Sequence, residues 1–168
     1  MGTCFNTSAS DMKVLDDQTL TLLGGALAQE PTDALLERQA HNLHRMCNKL
    51  TELPHHQSLY VLKQSFGPPR FNYLLRMSPC FKSTKLCLLD DILKAATESR
   101  LNIHLDDNKW LQACLPVKQG GLGIQSANQL SVAAFASSAV GCESSVLSLF
   151  EQQAASNSFF NEACALWS

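Results

Sequence analysis

Three pairs of adjacent aspartates come nearest to a catalytic pattern in this chain: Asp16-Asp17, Asp90-Asp91 and Asp106-Asp107. Two-metal phosphoryl transfer requires carboxylates that converge on ions about 4 Å apart. Neighbouring side chains on a helix point in different directions, so Asp90 and Asp91 are not expected to face one site. A turn accounts for the first pair, and a helix N-cap accounts for the third. Structural roles are therefore favoured for all three pairs.

Histidines form a second group that could do chemistry, because imidazole nitrogens bind metal ions. His41 and His44 are three residues apart and share a helix face, and Cys47 could join them. The adjacent His55-His56 pair could also bind a metal, but two histidines alone are weak evidence, and no Cys/His cluster has zinc spacing. We expect neither a metal nor a cofactor.

Motifs of nucleophilic, nucleotide-binding and metalloprotease sites are missing: the sequence has no G-x-S-x-G, P-loop or H-E-x-x-H. The segment Gly120-Gly121-Leu122-Gly123 is not a dinucleotide-binding fingerprint, and no strand pattern precedes it. We interpret it as a bend in the backbone. The chain is accordingly expected not to be an enzyme.

Composition indicates an ordinary globular domain: 168 residues, of which 45% are hydrophobic, with a formal net charge of -2. The seven cysteines are odd in number and widely spaced, which favours reduced thiols in an intracellular protein. The N-terminus lacks the apolar core of a signal peptide, and no apolar run is long enough to span a membrane. We expect a cytoplasmic or nuclear location and no membrane partner.

Charge is distributed unevenly along the nearly neutral chain. Eight basic residues and only one acidic residue, Glu52, lie between positions 38 and 85, whereas no Lys or Arg occurs from Gly120 onward. Basic residues on consecutive helices can contact successive phosphates of a nucleic acid. Charge alone is equally compatible with solvated helix faces. The basic residues of this stretch are Arg38, Arg45, Lys49, Lys63, Arg70, Arg76, Lys82 and Lys85.

Apolar periodicity predicts a mainly α protein with a short N-terminal β-hairpin. The hairpin is expected within 12–29, with its turn at Asp16-Asp17 and a bend at Gly24-Gly25. Helices are expected from about Glu30 to Leu53, then to Gly67, and from about Phe71 to Pro79. The segment from Phe81 to Ile103 should be the longest helix. A short helix capped at Asp106-Asp107 and ended by Pro116, a helix over Ala127–Val140 capped by Ser126, and one or two weaker helices over 143–168 should follow.

An aromatic and basic segment, Phe66-Gly67-Pro68-Pro69-Arg70-Phe71-Asn72-Tyr73-Leu74-Leu75-Arg76, is the most informative motif. Arg70 and Arg76 could reach a backbone phosphate, and Tyr73 could contact a sugar or base. In the alternative interpretation Phe71 is in the core, as are Leu74 and Leu75, and the arginines are simply solvated.

The order of several motifs resembles the region that follows the catalytic palm in reverse transcriptases of non-LTR retroelements, over about residues 12 to 142. These motifs are Leu22-Leu23-Gly24-Gly25, the segment 67–76, Trp110-Leu111-Gln112-Ala113-Cys114-Leu115-Pro116, Gly120-Gly121-Leu122-Gly123-Ile124, and the Ala/Ser-rich stretch containing Ala134-Phe135-Ala136-Ser137-Ser138. The family's catalytic aspartates lie upstream, in a palm segment with an Ala-Asp-Asp type motif. This sequence has no such motif, so polymerase activity is not expected.

The resemblance implies that Leu22, Leu23, Gly24 and Gly25 match the primer grip, a hairpin that holds the primer terminus. It also implies that helices between about 31 and 104 form a bundle-like thumb, which holds the template-primer duplex. Residues expected to contact nucleic acid are Arg38, Arg45, Lys49, Lys63, Arg70, Tyr73 and Arg76.

The resulting organisation is a disordered leader (1–11), the hairpin (12–29), a thumb-like helical domain (30–125) and a C-terminal helical tail (126–168). The expected function is non-catalytic binding of RNA or an RNA/DNA duplex through a basic helical face. The alternative is a helical protein-interaction module, which binds a protein or a second copy of itself through the C-terminal helices.

Overall fold

The computed structural model describes residues 21–22, 24–26, 28–149 and 158–167, and it confirms a mainly α fold. A two-stranded hairpin precedes a series of packed helices, which short 3₁₀ turns and one π-helical turn connect. The elements are β1 Thr21–Leu22, β2 Gly25–Ala26, α1 Gln29–Lys49, α2 His55–Val61, α3 Pro68–Met77, α4 Cys87–Leu101, α5 Asp107–Cys114, α6 Ala127–Leu149 and α7 Ser158–Trp167.

The hairpin is antiparallel, and it pairs Thr21 with Ala26 and Leu22 with Gly25. Gly24 lies in the turn with φ +84, a left-handed conformation that glycine adopts without steric cost. The expected bend at Gly24-Gly25 is thus present. The turn predicted at Asp16-Asp17 and the leader 1–11 lie outside the described residues.

Local capping rules predict two helix starts correctly. The Asp106 carboxylate accepts a hydrogen bond from the backbone N–H of Lys109 at 2.8 Å, at the start of α5. The Ser126 hydroxyl accepts one from the N–H of Gln129 at 3.1 Å, at the start of α6. Both side chains satisfy amides that a helix leaves unpaired in its first turn.

The predicted long helix from Phe81 to Ile103 is wrong at its start. Residues Cys80–Lys82 and Thr84–Leu86 form two 3₁₀ turns, and α4 begins only at Cys87. Cys80, Ser83 and Leu86 are all buried, and their spacing of three matches the three residues per turn of a 3₁₀-helix. Packing therefore selects the tighter winding, and α1 and α6 are both longer than α4.

The helix predicted over Ala127–Val140 also extends further than expected, to Leu149. Gly141 weakens a helix, but α7 packs against α6 and supports its continuation.

The main core lies where α1, α3, α4 and the first half of α6 meet. Leu36, Leu43, Phe71, Leu89 and Leu93 are among its fully buried side chains. A smaller cluster joins α6 to α7 through Phe135 and Ala163, and the ring of Phe135 contacts that of Phe81 at 5.5 Å between centroids. In the main cluster α1 packs mainly on α4, and α3 packs mainly on α6.

The glycine-rich segment is a bend, as predicted, and it folds back on the end of α5. The N–H groups of Leu122 and Gly123 donate to the carbonyls of Ala113 and Leu115, at 3.0 and 2.9 Å. Gly121 lies so close to this helix end that an added Cβ would sit 2.0 Å from the Leu115 carbonyl oxygen. Two of the motifs quoted from the sequence therefore form one hydrogen-bonded unit.

Among the described helices, none is both long and apolar enough to cross a bilayer.

Candidate nucleic-acid interface

Three of the predicted basic residues form a ridge along the exposed side of α1. Arg38, Arg45 and Lys49 are exposed and follow each other at spacings of seven and four, so they lie on one helix face. The buried residues Leu36 and Leu43 lie on the opposite face, which packs into the core. None of the three cations forms an ion pair with another described residue. We call this set the α1 ridge.

Two other lysines of the basic stretch have acidic partners. Lys85 pairs with Glu37 at 2.8 Å, and Lys82 pairs with Glu162 of α7. The hydrogen bond to Glu37 raises the pKa of Lys85. Because both acids lie outside the 38–85 stretch, its sequence charge overstates the number of cations available to a ligand.

The α3 segment presents a second basic face. Phe71, Leu74 and Leu75 are buried, while Arg70, Tyr73 and Arg76 are exposed. The apolar residues are therefore core, as expected, and exposure of the polar residues is compatible with both alternatives, contact with nucleic acid or simple solvation. Arg76 also borders a groove of about 730 Å³ between α3, α6 and α7.

Lys63 differs from the other residues predicted to contact nucleic acid because it is only partly exposed. It lies in the π-helical turn Leu62–Phe66, and its ammonium group reaches the glycine bend at Gly123. A Cβ added at Gly123 would lie 2.8 Å from that nitrogen, so the lysine packs against backbone.

The hairpin that resembles a primer grip contacts both α1 and α3. The backbone N–H of Ala26 donates to the buried hydroxyl of Ser78, at the end of α3, over 2.9 Å. Gly24 at the turn is exposed, Gly25 is buried and Leu22 lies on β1, whereas Leu23 is outside the described residues. The structure therefore brings the hairpin next to the helix that carries Arg70 and Arg76.

His41, His44 and Cys47 line a groove of about 450 Å³ between α1 and α4. Burial raises the pKa of the Cys47 thiol to about 11, which disfavours the thiolate that binds metals. In the part of the chain that the structure describes, no group of three His, Cys, Asp or Glu side chains could hold a metal ion.

Asp90 has a role that sequence reasoning missed. Its buried carboxylate accepts hydrogen bonds from the N–H of Ala127 at 2.7 Å, the N–H of Asn128 at 3.2 Å and the Ser126 hydroxyl at 2.6 Å. Desolvation raises the pKa of Asp90, and these hydrogen bonds oppose the rise. Asp91 is exposed, so this pair points in two directions, as helix geometry predicts.

The one indication in the sequence is the position of Asp90 on the apolar face of a helix, beside Leu89 and Leu93. A carboxylate on a buried face needs hydrogen-bond donors, but the sequence does not say which ones. We call the contact between Asp90 and residues 126–128 the α4–α6 clasp.

Comparison with protein-family models, curated proteins and solved structures gave no match for this chain.

Proposed function

We propose that this chain is a non-catalytic module, derived from a retroelement reverse transcriptase, that binds RNA or an RNA/DNA duplex. The α1 ridge is the observation that carries the proposal. Its three cations point away from the core, and none forms an ion pair with an acid in the described part of the chain. Arg38 and Lys49 lie about 16 Å apart along the helix axis, at a rise of about 1.5 Å per residue. The three side chains can therefore contact several phosphates of one strand.

The α3 face supports the same function. Arg70 and Arg76 are exposed on either side of Tyr73, which is half exposed. Arginine binds phosphate oxygens through paired N–H groups, and tyrosine can donate to a phosphate or contact a ribose. The neighbouring hairpin carries Gly24 and Gly25, and its second strand contacts this helix. Gly24 presents backbone that a nucleic acid could approach closely.

Removing the cations of the α1 ridge tests the proposal directly. The variant R38Q/R45Q/K49Q is titrated against labelled RNA duplex and RNA/DNA hybrid, with fluorescence anisotropy measured at several salt concentrations. We expect weaker binding and a slope of log K against log salt that is smaller by about 2 to 3, since each lost phosphate contact removes about one unit.

The matched control is K94Q/K109Q/K118Q, which removes the same number of positive charges elsewhere. Lys94 and Lys109 form surface ion pairs with Asp107 and Asp106, and such pairs contribute about 0–1 kcal/mol to stability. This control should bind almost as tightly as the wild type. If wild-type protein gives no salt-dependent shift with either duplex, the proposal is wrong.

A second candidate function is self-association through α6 and α7. Residues 127 to 142 of α6 include no charged side chain, and Val140 is 54% exposed beside the groove that Arg76 borders. Val140 gives the end of this span an exposed apolar side chain, which a partner could cover. A second copy of the chain is the partner we propose for this surface, and sedimentation velocity over a range of concentrations tests it.

A further inference from the structure

We infer that the groove between α1 and α4 holds an unpaired nucleotide next to the duplex, which gives the module a preference for duplex ends, overhangs or bulges. The inference rests on the proposed function, because the duplex must first be bound along the α1 ridge.

The two helices that form the groove run in the same direction. Lys85, just before α4, pairs with Glu37 in the first half of α1. The guanidinium of Arg100, near the end of α4, donates to the carbonyl of Leu50, just after α1, at 3.4 Å. The groove therefore extends along a helix pair that is fixed at both ends. Its volume of about 450 Å³ lies in the range of small-molecule sites, about 300–1,000 Å³.

The groove has an apolar floor and a polar rim. Three alanines line the groove, of which Ala40 is buried, Ala96 half-buried and Ala95 exposed, and their small side chains leave room for a flat ring. The rim supplies hydrogen-bond donors and acceptors of several kinds, from His41, His44, Asn48, Asp91, Ser99 and Arg100. An unpaired base presents an apolar face and a hydrogen-bonding edge, which this combination can contact together.

Two histidine rings in the groove could stack on a base. His41 and His44 are both exposed and lie one helical turn apart, so their rings line the same wall of the groove. Histidine is one of the side chains on which unstacked RNA bases stack. A paired base offers only its edges in the duplex grooves, so this wall favours a base that has left the helix.

The position of the groove links it to the α1 ridge. On α1, His41 lies one turn from both Arg38 and Arg45, and Asn48 is adjacent to Lys49. One edge of the groove is thus continuous with the ridge. A strand whose phosphates contact the ridge would pass the opening of the groove, and the Arg100 guanidinium at the far end adds a further positive charge.

The test compares a blunt RNA duplex with the same duplex carrying a short single-stranded extension that contains 2-aminopurine. Wild-type protein should bind the extended duplex about tenfold more tightly, in line with about 1–3 kcal/mol per stacked base. The fluorescence of 2-aminopurine should change on binding. The variants H41A/H44A and A95L, the second of which fills the groove, should remove the preference and leave the affinity for blunt duplex unchanged.

Two controls keep the result specific. A165L adds the same bulk at an exposed alanine of α7, and H104A removes an exposed histidine outside the groove, so both should keep the preference. Circular dichroism checks that each variant is folded. Binding of blunt duplex without any preference for the extension, or a preference that A95L retains, overturns this inference alone. Failure to bind either RNA also overturns this inference, and failure to bind the RNA/DNA hybrid as well overturns the proposed function.

Discussion

Asp90 shows how much one buried side chain can determine. Its carboxylate is the acceptor for two backbone amides and one hydroxyl at the start of α6, and the amides of a helix N-terminus also favour a negative charge. Loss of this carboxylate would leave buried donors without partners, which costs about 1–3 kcal/mol for each fully buried group.

We predict that Asp90→Ala lowers the free energy of unfolding by about 2–4 kcal/mol, combining the loss of a cap with unsatisfied buried donors. Urea unfolding followed by circular dichroism measures the change. Asp91→Ala is the matched control, because it removes the same group from the exposed side of the same helix and should change stability by no more than about 0.5 kcal/mol. Equal losses in the two variants would contradict the role assigned to the α4–α6 clasp.

The helix caps show which residue roles can be predicted from the sequence. Asp106 and Ser126 act on amides within three residues, so local rules identify them. Asp90 acts on amides 37 and 38 positions away, and the sequence alone gives no indication of that pairing. The same limit applies to Lys82 and Lys85, whose acidic partners are distant in sequence. Exposure of Arg38, Arg45 and Lys49 was predictable because helical periodicity alone fixes the face.

At the scale of elements, the bend after α5 requires glycine at position 121, because a side chain there would collide with the backbone of the helix end. The carbonyl oxygens of Leu115 and Gln112 would lie 2.0 and 2.6 Å from a Cβ at position 121. These are backbone atoms at the end of a helix, so they cannot move aside without disturbing α5. The bend also places Ile124 in the main core, which means that displacement of the bend would disturb the packing of that side chain.

We predict that Gly121→Ala destabilises the protein by about 1–3 kcal/mol or more, as overpacking usually does. Thermal unfolding provides the measurement. Gly141→Ala is the control: it lies within α6, nothing would contact its added Cβ within 4 Å, and alanine should stabilise the helix by up to about 1 kcal/mol. A neutral Gly121→Ala would show that the bend can shift freely.

Element boundaries were predicted well where a single residue type decides them and poorly where packing does. Pro54 and Pro79 separate helices as expected. The start of α4 was misplaced because Phe81 and its neighbours have helical periodicity, whereas the burial of Cys80, Ser83 and Leu86 imposes a three-residue repeat. A hydrogen bond from Ser83 to Asp33 of α1 fixes that repeat in place. No local pattern reveals such a tertiary contact.

At the scale of the whole molecule, charge and apolar surface are segregated. Five exposed cations that form no ion pair with a described residue lie on α1 and α3, while α6 offers an uncharged surface from 127 to 142. This division permits two separate interfaces, one for nucleic acid and one for a second copy of the chain. The two proposed interfaces come closest at Arg76, which borders the groove next to α6.

We predict that the wild-type chain self-associates as its concentration rises and that Val140→Glu keeps it monomeric, because burial of a carboxylate in an apolar interface is costly. Sedimentation velocity measures both. Val117→Glu is the control, since Val117 is also largely exposed but lies in the 3₁₀ turn Val117–Gln119. A wild-type chain that stays monomeric throughout would exclude the second candidate function.

The α4–α6 clasp also constrains the order in which the chain can fold. The first turn of α6 is completed by a carboxylate 37 positions earlier in the sequence. All of α5 and the glycine bend lie in the loop that must close before that turn is satisfied, and loop closure costs entropy that increases with the logarithm of loop length. We therefore expect the α4–α6 clasp to form after α4 has folded, because it is a non-local contact. Until α4 has folded and docked, the start of α6 has the local cap from Ser126 to Gln129 but lacks the hydrogen bonds that Asp90 accepts from Ala127 and Asn128.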